Sequence, residues 1–229
     1  MALYLNVPYE QKDLVKALGA KWDQIRKQWY VTDKFDYYKY FDWFPEVYEQ
    51  CDLVCDYMYI VEAPRKCNKC KNDTSVVGLA FQNFFSIKKD ENGNLIGYRY
   101  NNKYLNFFTL DDETDNTQLE FFLKKHFRYY YSYSKTMRDS YIANHCEHCG
   151  AIQGNHYLYE EPSGPFFDID NADDEVKKRI NLYKITFTED GVTCPDYTGD
   201  GFMPSQNMQV KIIDNLNMKP GDIYKVYNF

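Results

Sequence analysis

The stretch NHCEHCGAIQGNHYLYEEPSGPFF, residues 144–167, places Cys146 and Cys149 two residues apart, each with a histidine directly before it. A C-x-x-C turn can aim both sulfurs and the neighbouring backbone N–H groups at one metal ion, and Gly150 suits the tight backbone that follows such a knuckle. The same spacing occurs at Cys67 and Cys70 in CNKC, with 75 residues between the two pairs. Two knuckles complete a tetrahedral shell of four thiolates, with zinc–sulfur bonds of about 2.3 Å. Cys67, Cys70, Cys146 and Cys149 are therefore the expected ligands of one Zn²⁺, with iron as a geometrically similar alternative. A catalytic zinc keeps one coordination position open. Four thiolates close the shell, so the expected role is structural. His145 and His148 each stand beside a cysteine whose own spacing already fits, and they are expected at the surface or in hydrogen bonds around the ligands.

Working outward, 229 residues suffice for one large domain or two to three small ones. No run of 18 apolar residues exists, so no membrane span is expected. The start, MALYLNVPYEQK, lacks the basic and apolar regions of a secretory signal. Seven cysteines, four of them in C-x-x-C pairs, favour metal binding over disulfides and a reducing, cytoplasmic location. Cys51 and Cys55 lie at helical spacing without a further ligand nearby, and are expected to be buried free thiols.

The net charge of −7 is uneven: residues 157–229 hold 7 basic and 13 acidic groups, whereas residues 51–156 hold 13 of each. Non-specific affinity for nucleic acid is mainly cationic, which excludes a bulk coat protein but not a local binding face. Tyrosine is abundant, with 23 Tyr beside 16 Phe and the runs YYKYF (37–41) and YYYSY (129–133). Codon bias in an AT-rich genome and half-buried strands account for this composition; a stacking surface is the functional alternative.

The first unit reads as strand, helix and hairpin. LYLNVPY is a strand; in EQKDLVKALGA, Leu14, Val15 and Leu18 share one helical face, with Gly19 at the left-handed terminating position. AKWDQIRKQWYV follows as a hairpin in which Asp23 closes the turn and Trp22, Trp29 and Val31 are apolar anchors, with Lys27 solvated. CDYMYIVEAPRKCNKC is a strand feeding the first cysteine pair. VVGLAFQNFFSI, LIGYRY and YLNFF are short β runs, DENGN (90–94) is a hairpin turn, and TDNTQLEFFLKKHF (114–127) is a helix burying Leu119, Phe122 and Leu123. Beyond residue 167, NADDEVKKRI reads as a short helix and YKITFTEDGVTC as a hairpin. Met208, Ile212 and Leu216 mark a further helix, and DIYKVYNF a last strand. The expected fold class is α+β. It comprises a small strand–helix–hairpin domain (1–50), a β-rich, zinc-ribbon-like domain with a long insertion (51–167) and an acidic α+β extension (168–229).

The string V-P-Y-x-x-K-D-x-x-K-x-L-G-A-K-W-D-x-x-x-K-x-W-Y-V, residues 7–31, resembles a small bacterial domain of uncharacterised function. Relatives of that domain accompany plasmid-transfer primases and other mobile-element proteins. More loosely, the helix and WDQIRKQW are similar to the short module beside annealing helicases. The combination C-x-x-C, T-x-V-V, C-x-H-C-G-x-x-Q-G-N-x-x-L and E-P-x-G-P-F-F, over residues 67–167, resembles a recurring bacterial zinc-binding arrangement with no assigned reaction. These resemblances imply a metal and a setting in nucleic-acid metabolism, by analogy only.

Three functions follow. The leading one is a non-catalytic zinc-binding accessory protein of nucleic-acid metabolism, associated with a mobile element. Its partner would be nucleic acid or a nucleic-acid-processing protein. The binding residues would lie in FFLKKHFRYYYSYSKTMR, where Lys124, Lys125, Arg128, Lys135 and Arg138 meet phosphates and rings such as Tyr130 stack on bases. An amphipathic helix end and a β segment with solvated cations explain the same stretch without a ligand. The second is a phage- or plasmid-type protein-binding inhibitor presenting Glu160, Glu161, Asp168, Asp170, Asp173 and Asp174 to a basic channel. The third is a zinc-scaffolded nuclease using His126, His156, Glu160, Glu161 or Asp168. No H-E-x-x-H, P-loop or G-x-S-x-G motif supports that third reading.

Overall fold

The structure, a computed structural model, describes residues 2–45, 53–93, 95–109, 118–193, 196–197, 201–206 and 208–213. In chain order its strands are β1 (Leu3–Leu5), β2 (Lys21–Asp23), β3 (Gln28–Val31), β4 (Leu53–Lys66), β5 (Asp73–Lys89) and β6 (Leu95–Thr109). There follow β7 (Tyr129–Ser134), β8 (Asp139–His145), β9 (Ile152–Gln153), β10 (Asn181–Thr193), β11 (Asp196–Tyr197) and β12 (Gln209–Ile213). The helices are α1 (Lys12–Ala17), α2 (Gln118–Phe127) and α3 (Asp174–Lys177), with a 3₁₀ helix at Lys34–Trp43. The chain is mixed α+β, mostly sheet. Among the described residues no helix is long and apolar enough to cross a membrane.

The first unit folds as strand, helix and hairpin, its sheet ordered β1-β3-β2. Asp23 closes the hairpin: its Oδ1 accepts the N–H groups of Ile25 (2.8 Å) and Arg26 (3.0 Å). Gly19, at φ +107°, ends α1. Leu3, Leu5, Val15 and Val31 pack with Tyr37, Tyr40, Trp43 and Phe44. The tyrosine run thus supplies core at the i, i+3 spacing of a 3₁₀ helix, while Tyr38 between them is exposed. Two anchors are misassigned by periodicity: Leu14 is 54 % and Trp22 47 % exposed. Helix α1, six residues and about 9 Å long, contributes Val15 to this core.

Six strands form the central sheet in the order β11-β6-β5-β4-β10-β12, with β10 and β12 parallel and the other pairs antiparallel. Both faces are covered, and period-2 alternation sorts the side chains. Met58, Ile60, Val77, Leu79, Phe81, Phe108 and Ile185 point to one core, where Leu119 and Leu123 of α2 and Tyr129 and Ile142 of the β7–β8 hairpin meet them. Val61, Ala63, Val76, Ala80, Leu105, Phe107 and Leu182 point to the other, roofed by Leu158, Tyr159, Phe166 and Ile169. Burial on both sides explains the unbroken apolar run VVGLAF in β5.

Three expectations are corrected. The short runs between residues 76 and 109 merge into strands of 17 and 15 residues. YKITFTEDGVTC is not a hairpin: β10 continues along β4, and its register shifts between Thr186 and Gly191. A bulge absorbs the turn-forming residues because β4 offers an edge long enough to pair both halves. Residues 209–213 form β12 rather than a helix, since the open edge of β10 accepts the β-branched Val210, Ile212 and Ile213 in parallel register. Strands from beyond residue 168 therefore complete the same sheet as β4–β6. The expected helix at 114–127 is described over Gln118–Phe127. Residues 114–117, Leu216, DIYKVYNF, Cys51 and the Cys55 side chain lie outside what is described.

One buried amide bonds the third sheet, β7-β8-β9, to β5, beside the packing of Tyr129 and Ile142. β5 pairs with β6 from Leu79 onward, which leaves the outward N–H and C=O of Val77 to be satisfied otherwise. Asn144 supplies both partners: its Oδ1 accepts from Val77 N–H and its Nδ2 donates to Val77 C=O, each at 2.8 Å. Asn144 is 1 % exposed, so this primary amide acts as a one-residue strand inside the protein.

Candidate metal centre

Each cysteine pair sits in the tip of a β-hairpin. The first lies between the closing pair Lys66↔Asp73 of β4 and β5, the second between His145↔Ile152 of β8 and β9. The two tips repeat one geometry. Cys67 and Cys146 donate their N–H to Asn72 and Ala151 carbonyls, both at 2.9 Å, and accept at their own carbonyls from Lys71 and Gly150, both at 3.0 Å. Their sulfurs accept from Lys69 and His148 N–H groups, both at 3.4 Å. Lys71 (φ +63°) and Gly150 (φ +67°) hold the same left-handed position. Glycine advertises that conformation in the second knuckle, whereas in the first a lysine adopts it and shows no sequence signal.

The hairpin tips face each other. Cys67 and Cys149 sulfurs are 3.7 Å apart, as are those of Cys70 and Cys146, and all four lie within 4.8 Å of one another. A regular tetrahedron of sulfurs around zinc has edges of about 3.8 Å, from a zinc–sulfur bond of about 2.3 Å. The arrangement could hold such an ion. Among the described residues no other group of three or more His, Cys, Asp or Glu side chains converges in this way. The intervening 75 residues are the folded route by which two distant hairpins meet.

The thiols themselves favour a cation. Burial opposes ionisation of Cys67, but N–H groups of Cys70 and Lys69 and the thiols of Cys146 and Cys149 outweigh it and lower its pKa to about 6. Cys146 is likewise lowered: burial opposes, and the N–H groups of Cys149 and His148 prevail. At Cys70 the Asn72 N–H favours the thiolate, yet burial and the three neighbouring thiols raise its pKa to about 11. Four thiolates cannot share this space without a positive charge between them.

A buried side chain braces the pair of knuckles. Gln153, fully buried, donates from Nε2 to Cys67 Sγ (3.4 Å) and to Ala151 O (2.9 Å), while its Oε1 accepts Asn68 N–H (3.3 Å). It touches both tips at once. Thr74 Oγ accepts Glu147 N–H at 3.1 Å, and His148 Nε2 donates to Asp73 O at 2.8 Å, so the second tip is also pinned to the start of β5. Exposed His148 thus acts around the ligands as expected. His145 does not lie at the surface: it is 4 % exposed and stacks on Tyr130 at 3.8 Å between centroids. Its Nδ1 donates to Arg128 O (3.2 Å) and its Nε2 accepts from Ser132 Oγ (2.9 Å), which is the neutral ring, and burial lowers its pKa.

Comparison with known proteins reaches the other end of the chain. Residues 2–45 match a domain of unknown function, DUF5710. Two proteins named DNA primase TraC from Escherichia coli are similar to part of the chain: one is 51 % identical over 43 residues, 19 % of this chain, the other 58 % over 33 residues, 14 % of this chain. The matched segment is 3 % of each relative's length. No solved structure matches the chain. The DUF5710 match ends before the first cysteine pair, so what residues 67–167 can do rests on their geometry.

The residues expected to meet nucleic acid are strung along α2 and the β7–β8 hairpin. Exposed Lys124 and Lys125 occupy the last turn of α2, and Arg128 follows at φ +53°. Arg128 Nη1 donates to Glu147 O inside the second knuckle at 3.1 Å. Tyr130 stacks on His145 and has Lys124 Nζ 5.5 Å from its centroid, whereas Tyr131 and Tyr133 are 52 % and 59 % exposed. Lys135 and Arg138 lie exposed in the turn at the far end of β7, a six-residue strand spanning about 20 Å.

The acidic and histidine candidates have local roles. Asp170 accepts Met203 N–H at 2.7 Å, Asp168 accepts Asn171 Nδ2 at 2.7 Å, and Glu160 pairs with His156 at 2.9 Å on an exposed turn. His126 lies against Phe122 on α2. Gln153 and Asn144 are the working residues that spacing rules do not reveal; Gln153 stands in the Q-G-N string, and nothing in DSYIANH marks Asn144.

Proposed function

We propose that this chain is a non-catalytic accessory protein of nucleic-acid metabolism, associated with a mobile element, in which Cys67, Cys70, Cys146 and Cys149 hold a structural Zn²⁺. The ion joins the β4–β5 and β8–β9 hairpin tips and so fixes the adjoining surface of α2 and β7–β8. Lys124, Lys125, Arg128, Lys135 and Arg138 contact phosphates there, Tyr131 and Tyr133 stack on bases, and Tyr130 holds Lys124 in place. The observation that carries this reading is the bond from Arg128 to the Glu147 carbonyl, with Arg128's own carbonyl bonded to the His145 N–H at 3.0 Å. The cationic end of α2 is thereby built into the knuckle. Similarity of a short part of the chain to DNA primases supports the setting. A closed thiolate shell supplies no open position for activating water, so the zinc supports binding rather than hydrolysis.

Fluorescence anisotropy with labelled single strands, duplexes and forks tests the proposal. Binding is expected at low salt and falls as salt rises. Joint replacement of Lys124, Lys125 and Arg128 by alanine should weaken it and lower the salt slope by about 2, since each lost phosphate contact on a single strand contributes about 0.7. No binding to any of these at low salt would sink it.

A further inference from the structure

The N-terminal unit holds a second candidate site. Leu5, Trp29 and Trp22 are aligned across β1, β3 and β2 on the core face of the small sheet, through the pairs Leu5↔Trp29 and Trp22↔Trp29. Burial decreases along that row, from Leu5 at 2 % to Trp22 at 47 % exposed. The uncovered part of the face is not flat. Trp22 meets Trp29 edge-on, with centroids 5.4 Å apart, and Pro8, Tyr9 and Lys12 join them in lining a groove. Its volume is about 620 Å³, within the range of small-ligand sites.

Its chemistry is specific. Tyr9, 75 % exposed, also lines the groove, and Lys12 Nζ sits over its ring, 3.8 Å from the centroid. Lys27 lines it too, and among the described residues it has no ion-pair partner. Asn6 and Gln28 add amide groups to the lining, which contains two lysines and no carboxylate. The local charge is thus opposite in sign to that of the whole chain. Exposed aromatic rings take a flat π-system, lysines beside them take an anion, and amides take the edge of a base. An apolar peptide would leave both lysines without a counter-charge.

We propose that this groove binds single-stranded nucleic acid, stacking a base on Trp22 and Tyr9 while Lys12 and Lys27 meet the flanking phosphates. The site is separate from the β7–β8 hairpin surface. It deepens the nucleic-acid reading above and rests on that reading for its ligand class. Duplexes bind less well there, because their bases are already stacked on one another.

The test uses the 229-residue, zinc-loaded chain and a fluorescein-labelled oligothymidylate at low salt, read by anisotropy and by quenching of tryptophan emission. Trp22→Ala should weaken binding roughly 5- to 150-fold, the equivalent of one lost stacking contact. Trp22→Phe should restore most of it, and melting should stay near the parent value because the side chain is half exposed. Lys27→Ala, at an exposed turn position, is the second variant; it should weaken binding and lower the salt slope even if Trp22→Ala folds poorly. Full affinity in both Trp22→Ala and Lys27→Ala, with loss in the Lys124/Lys125/Arg128 variant, overturns the groove and leaves the hairpin surface standing. Loss of binding in the groove variants alone overturns the hairpin assignment instead. A Trp22-dependent dimer in sedimentation, at unchanged oligonucleotide affinity, assigns the groove to self-association and also overturns the proposal. Absence of binding by the parent chain refutes both.

Discussion

Replacing Asn144 tests whether one buried amide joins the cysteine-bearing hairpin to the central sheet. Its two bonds to Val77, each 2.8 Å, satisfy an N–H and a C=O at a residue 1 % exposed. Asn144→Ala leaves both groups buried and unpaired at about 1–3 kcal/mol each, so a loss of about 3–4 kcal/mol is expected. With a urea slope of about 3 kcal/mol/M, that moves the unfolding midpoint of the zinc-loaded chain down by about 1 M at unchanged slope. Asn144→Asp separates bonding from space filling. It keeps the shape and the acceptor for Val77 N–H but sets an oxygen against Val77 C=O, so it should be at least as damaging as alanine. If Asn144→Asp were tolerated, or if Asn144→Ala moved the midpoint by less than about 0.3 M, the amide would be a spacer and the docking argument would fall.

Other consequences follow from the knuckles and are separately measurable. Gln153→Leu removes the donor to Cys67 and strands the Asn68 N–H, so zinc affinity in a chelator competition should drop about 10- to 100-fold; unchanged affinity would assign Gln153 to packing alone. The paired left-handed positions should respond oppositely. Lys71→Gly should stabilise by up to about 1 kcal/mol, while Gly150→Ala should cost about 1–2 kcal/mol for backbone reasons only, since an added Cβ meets nothing within 4 Å. Equal effects of the same sign in thermal melts would contradict the shared geometry.

The metal site was legible because its chemistry is local. Two C-x-x-C spacings fix two pairs of sulfurs whatever the rest of the chain does, and the fold brings the pairs together. The first unit was legible for a similar reason, as Asp23 and Gly19 act on their immediate neighbours. Longer-range features were not. Residues 208–216 carry apolar spacing that suits a helix, and 209–213 also carry a β-branched alternation; the free edge of β10 decides between them. The Glu-Asp-Gly sequence at 189–191 suits a turn, but the length of β4 makes it a bulge. Asn144 acquires its role only because β6 pairs with β5 from Leu79 onward. Trp22 has the composition of a core anchor, yet it sits on the edge strand β2 and is half exposed. In each case a partner distant in sequence settles what a local pattern leaves open.

Metal analysis of the purified chain and of Cys146→Ser, paired with thermal melts before and after chelation, bears most directly on the whole arrangement. If the four cysteines join the two hairpins through one ion, the parent chain should carry about one zinc per molecule and lose stability when it is removed. Cys146→Ser should carry little zinc and melt near the chelated parent. Full zinc occupancy and an unchanged melt in Cys146→Ser would contradict it.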